Sequence, residues 1–148
     1  MTTNPEHTVV QVIVPGVTSS LALVRKVVTH LAADAGFAEE EIDKIEIAVD
    51  EACTNAMEHA YRDFSPKPSV QVEITATDTE LVIDILDVGA SFEYAAYVPP
   101  KFPDHWNEGN TRGVGLYLIH QCMDQLTYEQ LPNETNRLRL IKKLSNGT

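Results

Sequence analysis

The sequence predicts a single α/β domain, and three observations predict it. Two stretches carry apolar residues at helical spacing: Leu21, Val24, Val27, Val28 and Leu31, then Ile45, Ala48, Val49, Ala52 and Ala56. Between residues 70 and 77 the pattern changes to strict alternation, with Val70, Val72, Ile74 and Ala76 on one side and Gln71, Glu73, Thr75 and Thr77 on the other. The whole chain has 148 residues, enough for one domain, residues 1–148, with a substantial core.

The elements follow in order. Val9 to Val14 is a β-rich run closed by Pro15-Gly16 and reads as a first strand. Thr18 or Ser19 is placed to cap the first helix, and Gly36 to stop it. Arg25 and Lys26 lie off its apolar stripe, a solvated basic spot in an acidic chain. Glu39, Glu40, Glu41 and Asp43 put negative charge at the positive dipole end of a second helix that runs to about Tyr61. Ser65-Pro66-Lys67-Pro68 is a turn. The alternating strand then meets Leu81–Leu86 through Asp78-Thr79, a β-hairpin whose second strand is apolar on both sides except at Asp84, and so central. Leu118, Ile119, Cys122 and Met123 mark a third helix. Leu126–Leu131 and Arg137–Leu144, joined at Pro132-Asn133-Glu134, form a last strand pair, and a frayed tail follows.

Composition narrows the function. A hydrophobic fraction of 43% with 22% charged residues is that of an ordinary soluble globular protein. The net charge of −11 opposes general binding to nucleic acid or anionic membranes and favours a basic partner surface. No apolar run reaches membrane-spanning length, and the N-terminus lacks a signal-peptide core. Cys53 and Cys122 fall in helix interiors without metal-ligand spacing and read as buried thiols of a reducing cytosol. The expected location is the cytoplasm.

Three short patterns carry chemistry. Glu51 and Asn55 are one helical turn apart and share a face on the shoulder of the apolar stripe. There a carboxylate can take a proton and an amide oxygen can ligate a hard cation, although on these two residues alone an ordinary polar pair on a half-exposed helix is the better account. Asp87-Val88-Gly89 ends the central strand: the carboxylate can accept from an exocyclic amine, and the glycine allows close backbone approach. A strand-ending turn would look the same. Gly113 and Gly115 open the third helix, where free N–H groups and the helix dipole suit a phosphate. Residues 93–112, rich in proline and containing Trp106, have no period and lie between the two glycine motifs, as a lid would.

Taken in order, these motifs resemble the N, G1 and G2 boxes of the histidine-kinase-like (GHKL, Bergerat-fold) ATPases. The likeness is closest to that superfamily's anti-sigma factor serine/threonine kinases. Glu-Ala-Cys-Thr-Asn-Ala-Met-Glu-His-Ala-Tyr at 51–61 is similar to their N box. Asp87-Val88-Gly89-Ala90-Ser91-Phe92 resembles their G1 box, and Arg112-Gly113-Val114-Gly115-Leu116-Tyr117-Leu118-Ile119 their G2 box. The resemblance spans nearly the whole chain.

It implies a two-layer α/β sandwich with a mixed, mainly antiparallel sheet against helices, and ATP held between helices and lid. It further implies Asn55 as the Mg2+ ligand, Glu51 as general base, and Asp87 with Gly89 at the adenine. The G2 segment Arg112, Gly113, Val114, Gly115 and Leu116 would lie along the phosphates, and Arg25 would contact a protein partner. His59 is expected to be structural. A sensor histidine kinase would need a dimerisation helix with a phospho-acceptor His, for which 148 residues leave no room. The implied substrate is therefore a serine or threonine of an anti-anti-sigma (STAS) protein. A sigma factor is the sequestered partner and a homodimer the usual assembly. Two other outputs remain open: a nucleotide-binding module that transfers no phosphate, and a partner-switching kinase with no sigma factor. In the lid only Lys101 and Arg112 offer a cation to the terminal phosphate.

Overall fold

The computed structural model describes residues 7–90 and 111–145, with side-chain surroundings for 8–90 and from 115 onward. Most of the expected lid, residues 93–110 with Lys101, His105 and Trp106, lies outside the described residues.

Five strands form one sheet: β1 (His7–Pro15), β2 (Ser69–Thr77), β3 (Glu80–Asp87), β4 (Gln125–Leu131) and β5 (Thr135–Lys143). Their order is β1-β2-β3-β5-β4, so the strand with the fewest outward polar residues, β3, is the central one. Every pairing among them is antiparallel, so the described sheet is wholly antiparallel, not mixed as expected. The helices are α1 (Leu21–Ala35), α2 (Glu39–Thr54) and α3 (Thr111–Cys122), and a π-helical segment, Asn55–Ala60, continues α2.

Register explains the two layers. Val10, Ile74, Ile83, Leu140 and Leu126 stand side by side across the sheet, and Val12, Val72, Ile85 and Leu138 form the next row on the same face. These rows share one core with Val24, Val28, Ile45, Ala48, Val49, Ala52 and Ile119 of the helices. Each fully buried aliphatic side chain there contributes about 1.5–3 kcal/mol relative to exposure. The opposite face carries the row Gln11, Glu73, Asp84, Arg139 and Thr127. The exceptional Asp84 is only 4% exposed because Arg139 grips it as a fork, Nε to Oδ1 at 2.8 Å and Nη2 to Oδ2 at 2.9 Å.

Local detail departs from expectation at two places. Neither Thr18 nor Ser19 caps α1; a 3-10 turn, Thr18–Ser20, leads into it, and Ser20 Oγ donates to the Pro15 carbonyl at 2.9 Å. Arg25 is not a solvated basic spot: its Nη1 pairs with Asp50 Oδ2 of α2 at 2.9 Å. The stop at Gly36 holds, with its N–H bonded to the Ala32 and Ala33 carbonyls. Both cysteines are buried free thiols, and complete burial pushes Cys53 up to about 12, beyond reactive use. Among the described residues, no helix is long and apolar enough to cross a membrane.

Candidate functional site

The site is assembled around the end of α2. Ile45, Ala48, Val49 and Ala52 hold this helix against the sheet, and Asn55 begins the π-helical segment just beyond it. The Tyr61 N–H reaches back five residues to the Ala56 carbonyl at 3.0 Å, and Lys67 Nζ donates to the Met57 carbonyl at 2.7 Å. Wider turns of this kind re-aim side chains and are frequent at functional sites.

Glu51 is half-buried and Asn55 is 7% exposed, the shoulder position the spacing predicts. Burial first, then the carboxylates of Asp50 and Glu58, raise the Glu51 carboxyl above its ordinary value of 4.5. Gly115 of α3 lies against both side chains. A Cβ added there would stand 3.0 Å from Glu51 Oε2 and 3.6 Å from Asn55 Oδ1. α3 begins at Thr111, so Gly115 does not open it but follows its first turn, and there the carboxylate, the carboxamide and α3 meet. The residues of that turn, Arg112, Gly113 and Val114, are placed in the helix, but their side chains lie outside the described surroundings. Leu116 is 2% exposed and its side chain belongs to the core.

Asn55 Nδ2 is buried and has no hydrogen-bond partner among the described residues. A carboxamide turned end for end would present its oxygen there, a hard uncharged donor. Mg2+ takes one or two protein oxygens and completes its shell with water and phosphate, so this donor fits that ion. No cluster of three or more His, Cys, Asp or Glu that could hold a metal occurs among the described residues.

Asp87 and Gly89 sit at the other end of the π-helical segment. The Gly89 N–H donates to Asp87 Oδ1 at 2.9 Å, and the Ala90 N–H donates to the Ala60 carbonyl at 3.0 Å. Gly89 needs its missing side chain, because a Cβ would strike the Ala60 carbonyl oxygen and come within 2.7 Å of the carbonyl carbon. Two residues that the motif reading missed complete this turn. Tyr61, fully buried, donates its hydroxyl to the Ser69 carbonyl at 2.7 Å and accepts the Val88 N–H at 3.1 Å. Asn136 of β5 donates from Nδ2 to Asp87 Oδ1 at 2.9 Å and to the Gly89 carbonyl at 3.0 Å.

Arg25 is brought to this helix too, through Asp50, the neighbour of Glu51. His59 Nδ1 lies 3.4 Å from Arg62 Nη2 at the end of the segment.

A sandwich of this topology, with a carboxylate and a carboxamide on the inner helix, a glycine turn behind the central strand and a glycine-opened helix facing them, is the layout of a nucleotide-binding ATPase domain. Residues 14–142 match the family of histidine kinase-like ATPase domains, and the chain belongs to that family. Among its relatives is a serine-protein kinase RsbW of Bacillus velezensis, 32% identical over 76% of this chain and 72% of that protein. The serine-protein kinase RsbW of Bacillus subtilis is 30% identical over 90% of this chain and 84% of its own length. That of Staphylococcus epidermidis is 31% identical over 87% and 84%. A crystal structure of the RsbU and RsbW domains of a Mycobacterium tuberculosis protein superposes with a TM-score of 0.66 at 18% identity, over 94% of this chain and 33% of that one, which bears on the fold.

Proposed function

We propose that this chain is an ATP-dependent serine/threonine protein kinase that phosphorylates an anti-anti-sigma (STAS) protein and sequesters a sigma factor in a partner switch. The observation that carries the reading is the convergence of Glu51, Asn55 and Gly115 at the start of α3. The likeness to serine-protein kinases RsbW over most of their length supports it.

Phosphoryl transfer is mainly positioning and charge neutralisation. In this reading Asp87 accepts the amino group of adenine beside Gly89. Backbone N–H groups of Arg112, Gly113 and Val114, in the first turn of α3, face the phosphates with the helix dipole behind them, and Gly115 and Leu116 follow along the same wall. Asn55 would hold Mg2+, which would supply neutralisation of phosphate charge. Glu51 takes the proton from the partner's hydroxyl, and its raised pKa makes it a stronger base than a solvated carboxylate. Arg25 of α1, paired with Asp50 of α2, contacts the protein partner. Residues 1–148 act as one domain in the cytoplasm, as a homodimer, and the net charge of −11 keeps the protein off nucleic acid and anionic membranes.

The test is transfer of label from γ-labelled ATP to the STAS partner, with Mg2+ and with Glu51→Gln as control. Label on the partner that is lost in the variant is the expected result. Nucleotide and partner binding without label would reduce the protein to an interaction module. A pull-down with no sigma factor would leave a kinase with another output.

A further inference from the structure

We propose that Asn136 is the positioning residue that sets the Asp87 carboxylate and, through it, the preference for a nucleobase bearing an exocyclic amine. This rests on the reading of Asp87 as the acceptor for that amine. Asn136 stands on the inward face of β5, in sequence with Leu138 and Leu140, where alternation calls for an apolar residue. It is only 3% exposed, and a buried carboxamide is retained at a cost unless its hydrogen bonds are made. Its amide nitrogen makes them to two points of one turn. The β3–β5 register sets Asn136 directly opposite Asp87, and the single Nδ2 group donates to the Asp87 carboxylate and to the Gly89 carbonyl.

The Gly89 N–H donates to the same carboxylate oxygen, Oδ1. Two donors on one oxygen fix the rotation of a side chain that otherwise turns about two bonds, and so fix the direction in which Oδ2 points. An ionised carboxylate only accepts. Once its direction is set, a base with an amino group at that point is favoured and a base with a carbonyl is rejected. A leucine at 136 would fill similar space and satisfy the strand pattern, yet would take away the side-chain donor that Asn136 places on Oδ1.

The experiment titrates the full chain with ATP, inosine triphosphate and purine riboside triphosphate by calorimetry. The proteins compared are the wild type, Asn136→Leu, Asp87→Asn and the double variant. The wild type is expected to prefer ATP, and Asn136→Leu to reduce that preference roughly tenfold, the scale of a lost bond to a charged group. In the Asp87→Asn background the Asn136 change is expected to alter the preference no further, because the two act as one unit. If Asn136→Leu fails to fold, Asn136→Ser, smaller and still a donor, carries the test with a partial loss. Equal weakening of all three nucleotides, or an additive effect in the double variant, would mean a merely structural residue and overturn the inference. A preference lost in Asp87→Asn but intact in both Asn136 variants overturns it alone. A wild type with no preference, unaltered by Asp87→Asn, overturns the reading of Asp87 and this inference with it.

Discussion

Around Asp87 the chain supplies partners for the polar groups of the turn: Tyr61 for the Val88 N–H, Asn136 for the Gly89 carbonyl, Ala60 for the Ala90 N–H. Around Asn55, one turn of helix past Glu51, it leaves a buried carboxamide nitrogen with none among the described residues. The two clusters are joined by the same π-helical segment, so the contrast does not come from different scaffolds. A buried unsatisfied group costs about 1–3 kcal/mol, which an apolar residue would avoid. The turn at Asp87 is finished by the protein alone, as suits a rigid recognition surface. The Asn55 end carries a deficit that a ligand can relieve, as suits the proposed phosphate end of the site.

The contrast is tested hardest by the rate of phosphate transfer. Glu51→Gln is expected to lower it by about 10²–10⁴-fold, the usual weight of a general base. Asn55→Ala should lower it by roughly 10²-fold or more, since a metal supplies several kcal/mol of charge stabilisation. The same Asn55→Ala change should shift unfolding free energy by no more than about 1 kcal/mol, because the lost volume is offset by removal of an unpaired amide. A large destabilisation in urea would show that Asn55 is structural and that the two ends do not differ in kind.

The paired glycines give the next largest effects, in opposite measurements. At Gly89 a new Cβ meets backbone atoms of Ala60, which cannot move without shifting the segment. Gly89→Ala should therefore cost roughly 2–3 kcal/mol of stability, the upper range for overpacking. At Gly115 the nearest atom is the far end of the Glu51 side chain, at 3.0 Å, and it can swing away. Gly115→Ala should leave stability within about 1 kcal/mol, helped by the better helix propensity of alanine. Transfer activity should fall nonetheless, because Glu51 is displaced. Thermal unfolding and transfer assays on both variants separate the cases; equal melting temperatures would remove the distinction.

A smaller effect probes the finished turn itself. Tyr61→Phe removes the hydroxyl that joins Ser69 and Val88 and leaves both backbone groups short. A loss of about 1–3 kcal/mol is expected, with ATP bound more weakly and the transfer rate at saturating ATP nearly unchanged. A fall in that saturated rate would place Tyr61 in the chemistry instead.

How far the sequence reveals this arrangement also differs between the two ends. Glu51 and Asn55 were legible because both lie on one helix, where spacing alone gives a shared face. The five strands were legible from alternation and turn residues, and β3 was recognisable as central from its apolar outer positions. Asn136 was not legible from its motif: it lies 49 residues from Asp87, and only strand pairing brings them together. Its one signal was a polar residue at an inward position of an otherwise alternating strand. Arg25 was read as solvated because its partner, Asp50, sits on a different helix, and helix packing cannot be read from the period of either.

The smallest predicted effect is the pH dependence of stability at the Glu51 end. Burial and neighbouring carboxylates raise the folded-state pKa of Glu51 above the unfolded value near 4.5. Between those two values the folded protein binds more proton than the unfolded chain, so stability falls as pH rises through that window. Above the folded pKa the penalty of the charged carboxylate is fully present; below 4.5 it is absent. Glu51→Gln should therefore stabilise the protein near pH 7 and lose that advantage as the pH is lowered toward 4.5, and partial exposure of the side chain keeps the gain modest. The acid limb of the transfer rate should be displaced upward from the ordinary glutamate value for the same reason. Urea unfolding of both proteins across pH measures the first effect. A gain that persists undiminished at low pH would come from packing, and the deficit at the Glu51 end would then not be electrostatic.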